Sequence, residues 1–252
     1  MTLDLNDAEA LIAQGFTFAS GLVRFAPTPA EVTALDFDRV YTLMDAGLKL
    51  SDGVSVAVSI PENDPRATYA VIQDLASKGI SFTGGEVSLS AADVKGAYAT
   101  LQSKLLQAAE SGITFNTTSM PNWSLGTTDT GTAIGSPSLT YAQALTLKNA
   151  GISFNNASIT VASTADVTGL VENAFSLLDS GVRSIKFATG VSLSVADAQR
   201  ILAAKAVLVS QGESFVGSLF SGATLTSVDP RITLSSINDV LSEGVALPSN
   251  YV

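Results

Sequence analysis

Cysteine and histidine are both absent from the 252 residues. Without cysteine there is no disulfide framework, no thiolate nucleophile and no Cys-based metal site, which fits either a reducing compartment or export without disulfide chemistry. Without histidine, the commonest general base, the usual triad partner and the commonest transition-metal ligand are missing together. The sequence therefore points away from an enzyme, and no catalytic residue, metal or cofactor is expected. Charge is scarce as well: 14% of residues are charged, 13 basic against 23 acidic, for a formal net charge of −10. Residues 1–126 hold 14 acids against 7 bases and the remainder 9 against 6, so no basic patch is available for nucleic acid or an anionic membrane. Long apolar runs are lacking too. The longest, Ile201 to Val209, is interrupted by Lys205, and Met1 to Asn6 shows no basic region leading into an apolar one. Neither a membrane span nor a cleavable N-terminal signal is expected.

What is present is a large apolar fraction, 46%, with 55 Ser and Thr residues, so that hydroxyls rather than ions make most of the surface polar. These residues recur with a period. Helix-like runs end at Gly15, Gly47, Gly79, Gly112, Gly151, Gly181, Gly212 and Gly244, at intervals of 32, 32, 33, 39, 30, 31 and 32 residues. Four places before each glycine stand Leu11, Leu43, Leu75, Ala108, Leu147, Leu177, Leu208 and Val240, and seven places before stand Ala8, Val40, Ile72, Leu105, Ala144, Ala174, Lys205 and Ile237. Such offsets lie on one stripe of an α-helix, which gives each repeat a single buried helical face. The glycine fits the position where a chain leaves its helix through a left-handed conformation.

Alternating apolar residues follow each glycine. Phe16, Leu48, Ile80, Ile113, Ile152 and Val182 come one place after it, and Phe18, Leu50, Phe82, Phe115, Phe154 and Phe215 three places after, as in a short strand with one inward face. Phe187 stands later than this rule asks, which predicts a longer sixth strand, and Glu213 in an inward place predicts a register change rather than a buried carboxylate. Second β-like runs lie at Val54 to Ser59, Val87 to Ser90, Ser158 to Ala162, Val191 to Ser194 and Ala223 to Ser227. Helix starts are signalled by Thr28 with Glu31, Thr140 with Gln143, and by Ser90, Ser163 and Ser194, each with an Asp three places on. Asp64-Pro65 and Asp229-Pro230 read as proline in a first helical turn.

The expected fold class is thus α/β: a solenoid of about eight strand-turn-strand-helix repeats of roughly 32 residues, a single array over 1–252, with parallel sheet or sheets and helices on one side. One repeat cannot cover its own helix stripe, so neighbours must stack. Strands pack about 4.8 Å apart and helices about 8 to 10 Å apart, so such a stack is expected to curve. The chain opens with Thr2-Leu3-Asp4-Leu5 and closes after Val245 to Leu247, both in mid-repeat, so the end layers are expected to attract neighbouring copies end to end, or further repeats of a longer chain.

The strings Leu75 to Phe82 and Leu147 to Phe154, and Val-Ser-Leu-Ser with Ala-Asp at 87–93 and 191–197, resemble repeats of large proteobacterial type I secreted, RTX-associated surface adhesins. The resemblance covers nearly the whole chain and implies an extracellular or cell-surface location and a non-enzymatic structural or adhesive role. The glycine-rich nonapeptide calcium repeats that often accompany such regions are absent, so the resemblance implies no calcium binding.

The 39-residue interval holds an insertion at 116–138 that contains Trp123, the chain's one tryptophan. Trp123 beside Asn122 and Asp129 suits stacking on a sugar ring with hydrogen bonds to its hydroxyls, a carbohydrate-binding alternative with surface glycans as partners. The competing reading makes Asn122 to Gly126 a second strand with Trp123 packed at its edge. A further alternative is a polysaccharide-active β-solenoid enzyme, against which the lack of paired carboxylates on one face weighs. Asp36, Asp38, Asp45 and Asp52 read as solvated surface, and Gly84-Gly85, without a phosphate-loop lysine, as a turn.

Overall fold

The computed structural model describes residues 1–226 and 234–248. Apolar alternation and helix caps divide the chain much as their spacing predicts, into short strands between amphipathic helices. The chain forms two compact bodies, Met1–Val94 with Gln107–Pro121, and Lys95–Leu106 with Asn122–Val252.

In the first body the order is β1 (Thr2–Leu3), α1 (Leu5–Ala13), β2 (Arg24–Phe25), α2 (Pro29–Val32), α3 (Phe37–Asp45), β3 (Lys49–Leu50), β4 (Val56–Val58), α4 (Tyr69–Ser77), β5 (Ile80–Phe82), β6 (Gly85–Ser88), α5 (Tyr98–Glu110, whose last turn belongs here) and β7 (Ile113–Asn116). The strands pair in parallel as β1-β2-β3, β4-β5 and β6-β7. Apolar residues face one another across them: Leu3 with Phe25 and Leu50, Val58 with Phe82, Val87 with Phe115. The edge-on ring pair Tyr69 and Phe115, 6.2 Å between centroids, closes this core.

The second body contains β8 (Ser138–Thr140), α6 (Tyr141–Asn149), β9 (Ala157–Val161), α7 (Thr164–Asp179), β10 (Val182–Phe187), β11 (Ser192–Leu193), α8 (Val195–Ser210), β12 (Phe220–Ser221), β13 (Thr224–Leu225) and α9 (Leu234–Ser242). Its main sheet has the order β12-β10-β9-β8, again parallel, and places Leu139, Ile159, Ile185 and Phe220 in one buried row. The shared architecture is α/β with parallel sheets. Parallel neighbours need a crossover, and here a helix supplies nearly every one.

All eight helix-ending glycines have positive φ, from 82° at Gly112 to 104° at Gly181. After Gly15, Gly47, Gly151 and Gly212 the next amide reaches back to the carbonyl five residues earlier, as from Leu48 to Leu43 at 3.2 Å and from Ile152 to Leu147 at 3.0 Å, which closes the helix end. Three of these positions also carry a close approach. A Cβ on Gly181 would lie 1.9 Å from the Phe154 carbonyl oxygen, one on Gly47 would lie 2.1 Å from that of Phe18, and one on Gly244, the loosest of the three, would lie 2.3 Å from that of Phe220.

Several expectations are corrected. Phe16 is 53% exposed and Phe18 half-buried, because the strand after Gly15 is deferred to Arg24–Phe25. Phe215 likewise lies outside the sheet, since the next strand starts at Phe220. Glu213 is exposed, as its register change requires, and β10 extends to Phe187 with a bulge between Val182 and Ser184. The Ser90 and Asp93 pair caps a turn, because Gly96, at a φ of 109°, intervenes and α5 starts only at Tyr98. Asp64-Pro65 also lies in a turn; α4 is capped instead by Thr68, whose side chain accepts from the Val71 amide. Asp229-Pro230 lies outside the described residues. Complete capping boxes form at Thr28, Thr140 and Ser163, with Ser194 capping α8.

Candidate functional site

The residues singled out for sugar binding do not form an open platform. Trp123 is 5% exposed, so its ring faces are covered, and its indole N–H has no protein partner. Asn122 is exposed, and its backbone packs against Gly131 of the turn that also holds Asp129. The insertion is fastened to the scaffold. Leu125 makes a parallel bridge to Phe154, and the Asn155 side-chain amide donates to the Gly135 carbonyl at 2.8 Å. The second-strand reading of this stretch accounts for that burial.

A more open site lies in the first body, between α1 and α3. Glu9, Ile12 and Ala13 come from α1, and Asp38, Arg39, Thr42 and Leu43 from α3; together they line a cleft of about 340 Å³. Helical spacing puts these side chains there. Glu9, Ile12 and Ala13 share one face of α1, while Asp38 with Thr42 and Arg39 with Leu43 are pairs four apart on α3. Leu43 forms an apolar floor, 1% exposed. At the rim Arg39 spans the two helices, with Nε donating to Glu9 Oε1 at 2.8 Å and Nη2 to Oε2 at 3.0 Å. Its Nη1 donates to the Ala34 carbonyl at 3.1 Å, so the guanidinium is held from both sides.

Asp38 accepts from Arg66, which also donates to Asp64 at 2.6 Å. The Arg66 guanidinium lies 5.2 Å from the Tyr41 ring centroid and 5.8 Å from that of Phe37. The hydrogen bond from Arg66 holds the Asp64 carboxyl below its usual range, and Asp64 in turn raises Arg66, with Asp38 adding to the effect. A second cleft of about 230 Å³ lies between α3 and α4, lined by Tyr41, Asp45, Ala70, Val71, Asp74 and Leu75. Lys78 pairs with Asp74 at 2.8 Å beside it and donates to the Met44 carbonyl at 3.0 Å.

Chemically these clefts offer apolar floors and rims of carboxylates and committed cations, a combination suited to recognition. Among the described residues no group of three or more metal-ligating side chains is placed to hold an ion. The sequence reading missed Glu9, Ile12, Arg39 and Val71 as site residues and put Asp38 and Asp45 on bland surface. Aligning the helices on their terminal glycines was the signal that could have found them, because the lining positions then fall in register.

No family model matches the chain, and no curated protein matches it either. A crystal structure described as a "putative lyase/mutase" from Burkholderia cenocepacia aligns over 98% of this chain and 74% of that one, at 12% identity and a TM-score of 0.24. So low a score carries no argument about fold or activity. The expectation of a structural or adhesive protein is withdrawn, since the comparisons return no adhesin. Among the described residues no helix is long and apolar enough to cross a membrane.

Proposed function

We propose that the chain is an α/β repeat solenoid that works as a protein-recognition module, holding a segment of another polypeptide in the cleft between α1 and α3. Support for the repeat reading comes from the eight glycine-closed helices and from parallel pairings that link residues 20 to 35 positions apart, such as Leu139 with Ile159 and Ile185 with Phe220. The observation that carries the functional reading is the cleft itself. Its volume of about 340 Å³ and its Leu43 floor suit an apolar side chain, and its charged rim supplies orientation. A polypeptide is favoured over a glycan as the partner because Trp123, the ring suited to stacking on sugar, is covered.

The test is selection of displayed random peptides, followed by titration of the winners against the protein and an Ala13→Trp variant that fills the cleft from an exposed position. Selected peptides are expected to lose at least tenfold in affinity to the variant and to keep it against Val216→Ser, which alters an exposed residue that does not line the cleft. Saturable binding that ignores Ala13→Trp overturns the proposal, as does failure to select any saturable binder. Sedimentation over a concentration series shows whether a second copy of this chain supplies the segment.

A further inference from the structure

The two clefts of the first body are built from the same positions of successive repeats. Counted back from the helix-ending glycine, the first uses places six, three and two before Gly15 (Glu9, Ile12, Ala13) and places nine, eight, five and four before Gly47 (Asp38, Arg39, Thr42, Leu43). The second uses places six and two before Gly47 (Tyr41, Asp45) and places nine, eight, five and four before Gly79 (Ala70, Val71, Asp74, Leu75). Helix α3 stands between them, lending one face to each.

We propose that these are two copies of one subsite and that they take an extended basic segment in the polyproline II conformation, with an apolar side chain at every third position. The inference rests on the peptide-binding reading above and names the ligand's geometry. Clefts on the two sides of one helix are separated by about one interhelical distance, 8 to 10 Å. A polyproline II chain has three residues per turn and rises about 3.1 Å per residue, so side chains at i and i+3 share a face about 9.3 Å apart. A β-strand repeats its face at about 6.7 Å and misses the second cleft. An α-helix matches only at i+7, about 10.5 Å, and its diameter of about 10 to 12 Å must then ride over the ridge of α3.

Charge selects the residues between the apolar anchors. Glu9, Asp38, Asp45 and Asp74 line the two clefts; the first, second and fourth are paired with Arg39, Arg66 and Lys78, while Asp45 has no ion-pair partner among the described residues and is left to meet a cation of the ligand. Tyr41 adds an aromatic wall of the kind that grooves for proline-rich chains use. The partner segment is therefore a lysine- or arginine-bearing, proline-rich stretch.

The experiment compares three labelled peptides by fluorescence anisotropy at low salt: four repeats of Leu-Pro-Lys, a scramble of the same composition, and a helix-forming peptide with leucines seven apart. The regular peptide is expected to bind at least tenfold more tightly than either control. Ala13→Trp and Val71→Trp should each weaken it tenfold or more, and Asp45→Lys, which changes an exposed side chain without filling space, should do so several-fold. If scrambled or helical peptide binds as well and Ala13→Trp still abolishes binding, the spacing inference falls and the peptide-binding reading stands. If no peptide shows binding that depends on Ala13, both fall.

Discussion

At Tyr69 a phenol sits in the core with its hydroxyl buried and without a hydrogen-bond partner, 4% of the residue remaining exposed. Burial, with the nearby Asp93 charge, pushes its ionisation up to about 12 from the usual 10.0. The folded protein then holds a proton that the unfolded chain releases first. Stability from this group is complete below about pH 10 and declines as pH rises towards about 12. Tyr69→Phe should leave stability near neutral pH unchanged or up to about 1 kcal/mol higher, since no bond is lost. The same variant should show a shallower alkaline decline in urea titrations at successive pH values. An equal decline in both proteins would remove Tyr69 as the cause. Gly181 makes the opposite kind of demand. Its φ of 104° and the Phe154 carbonyl oxygen 1.9 Å from a would-be Cβ leave Gly181→Ala strained in both backbone and contact. Chemical denaturation should find it destabilised by roughly 2 kcal/mol or more, whereas Gly15→Ala, which meets nothing within 4 Å, should suffer less.

Among the elements, the helices were the most legible in sequence, because all but the short α2 announce their face by apolar spacing and their end by glycine. Leu75 and Phe154 fell where that spacing put them, 2% and 4% exposed. Truncation of either to alanine should cost about 2 to 5 kcal/mol. The first strands were less legible. Phe16 and Phe215 match the alternating pattern, but neither enters a sheet, since alternation records only which residues are apolar and not whether a neighbouring strand lies within bonding distance. The insertion is tied down despite its polar composition. Within Gly126 to Ser136, Thr127 is buried, Asn155 holds the Gly135 carbonyl, and a Cβ on Gly135 would collide with the Tyr98 ring at 2.3 Å. Deleting Gly126 to Ser136 should therefore lower the melting temperature by an amount comparable to Leu75→Ala. An unchanged midpoint would show these ties to be decorative.

For the whole chain, periodicity was written in the sequence while the candidate site was not. Glu9 and Arg39 lie 30 residues apart and meet only because α1 and α3 lie side by side, which no local pattern reveals. Trp123 drew attention by rarity, and rarity says nothing of exposure. The strand ladder carries one more consequence, for the way the protein folds. Every strand pairing among the described residues joins partners 20 to 35 positions apart. Loop-closure entropy grows only logarithmically, by about 0.6 kcal/mol per doubling of length, so the shortest and longest rungs differ by less than that. No rung is then a privileged nucleus on entropic grounds, and each body can begin folding wherever its side chains happen to pack best. Substitutions that slow folding should be scattered along the chain rather than gathered in one segment.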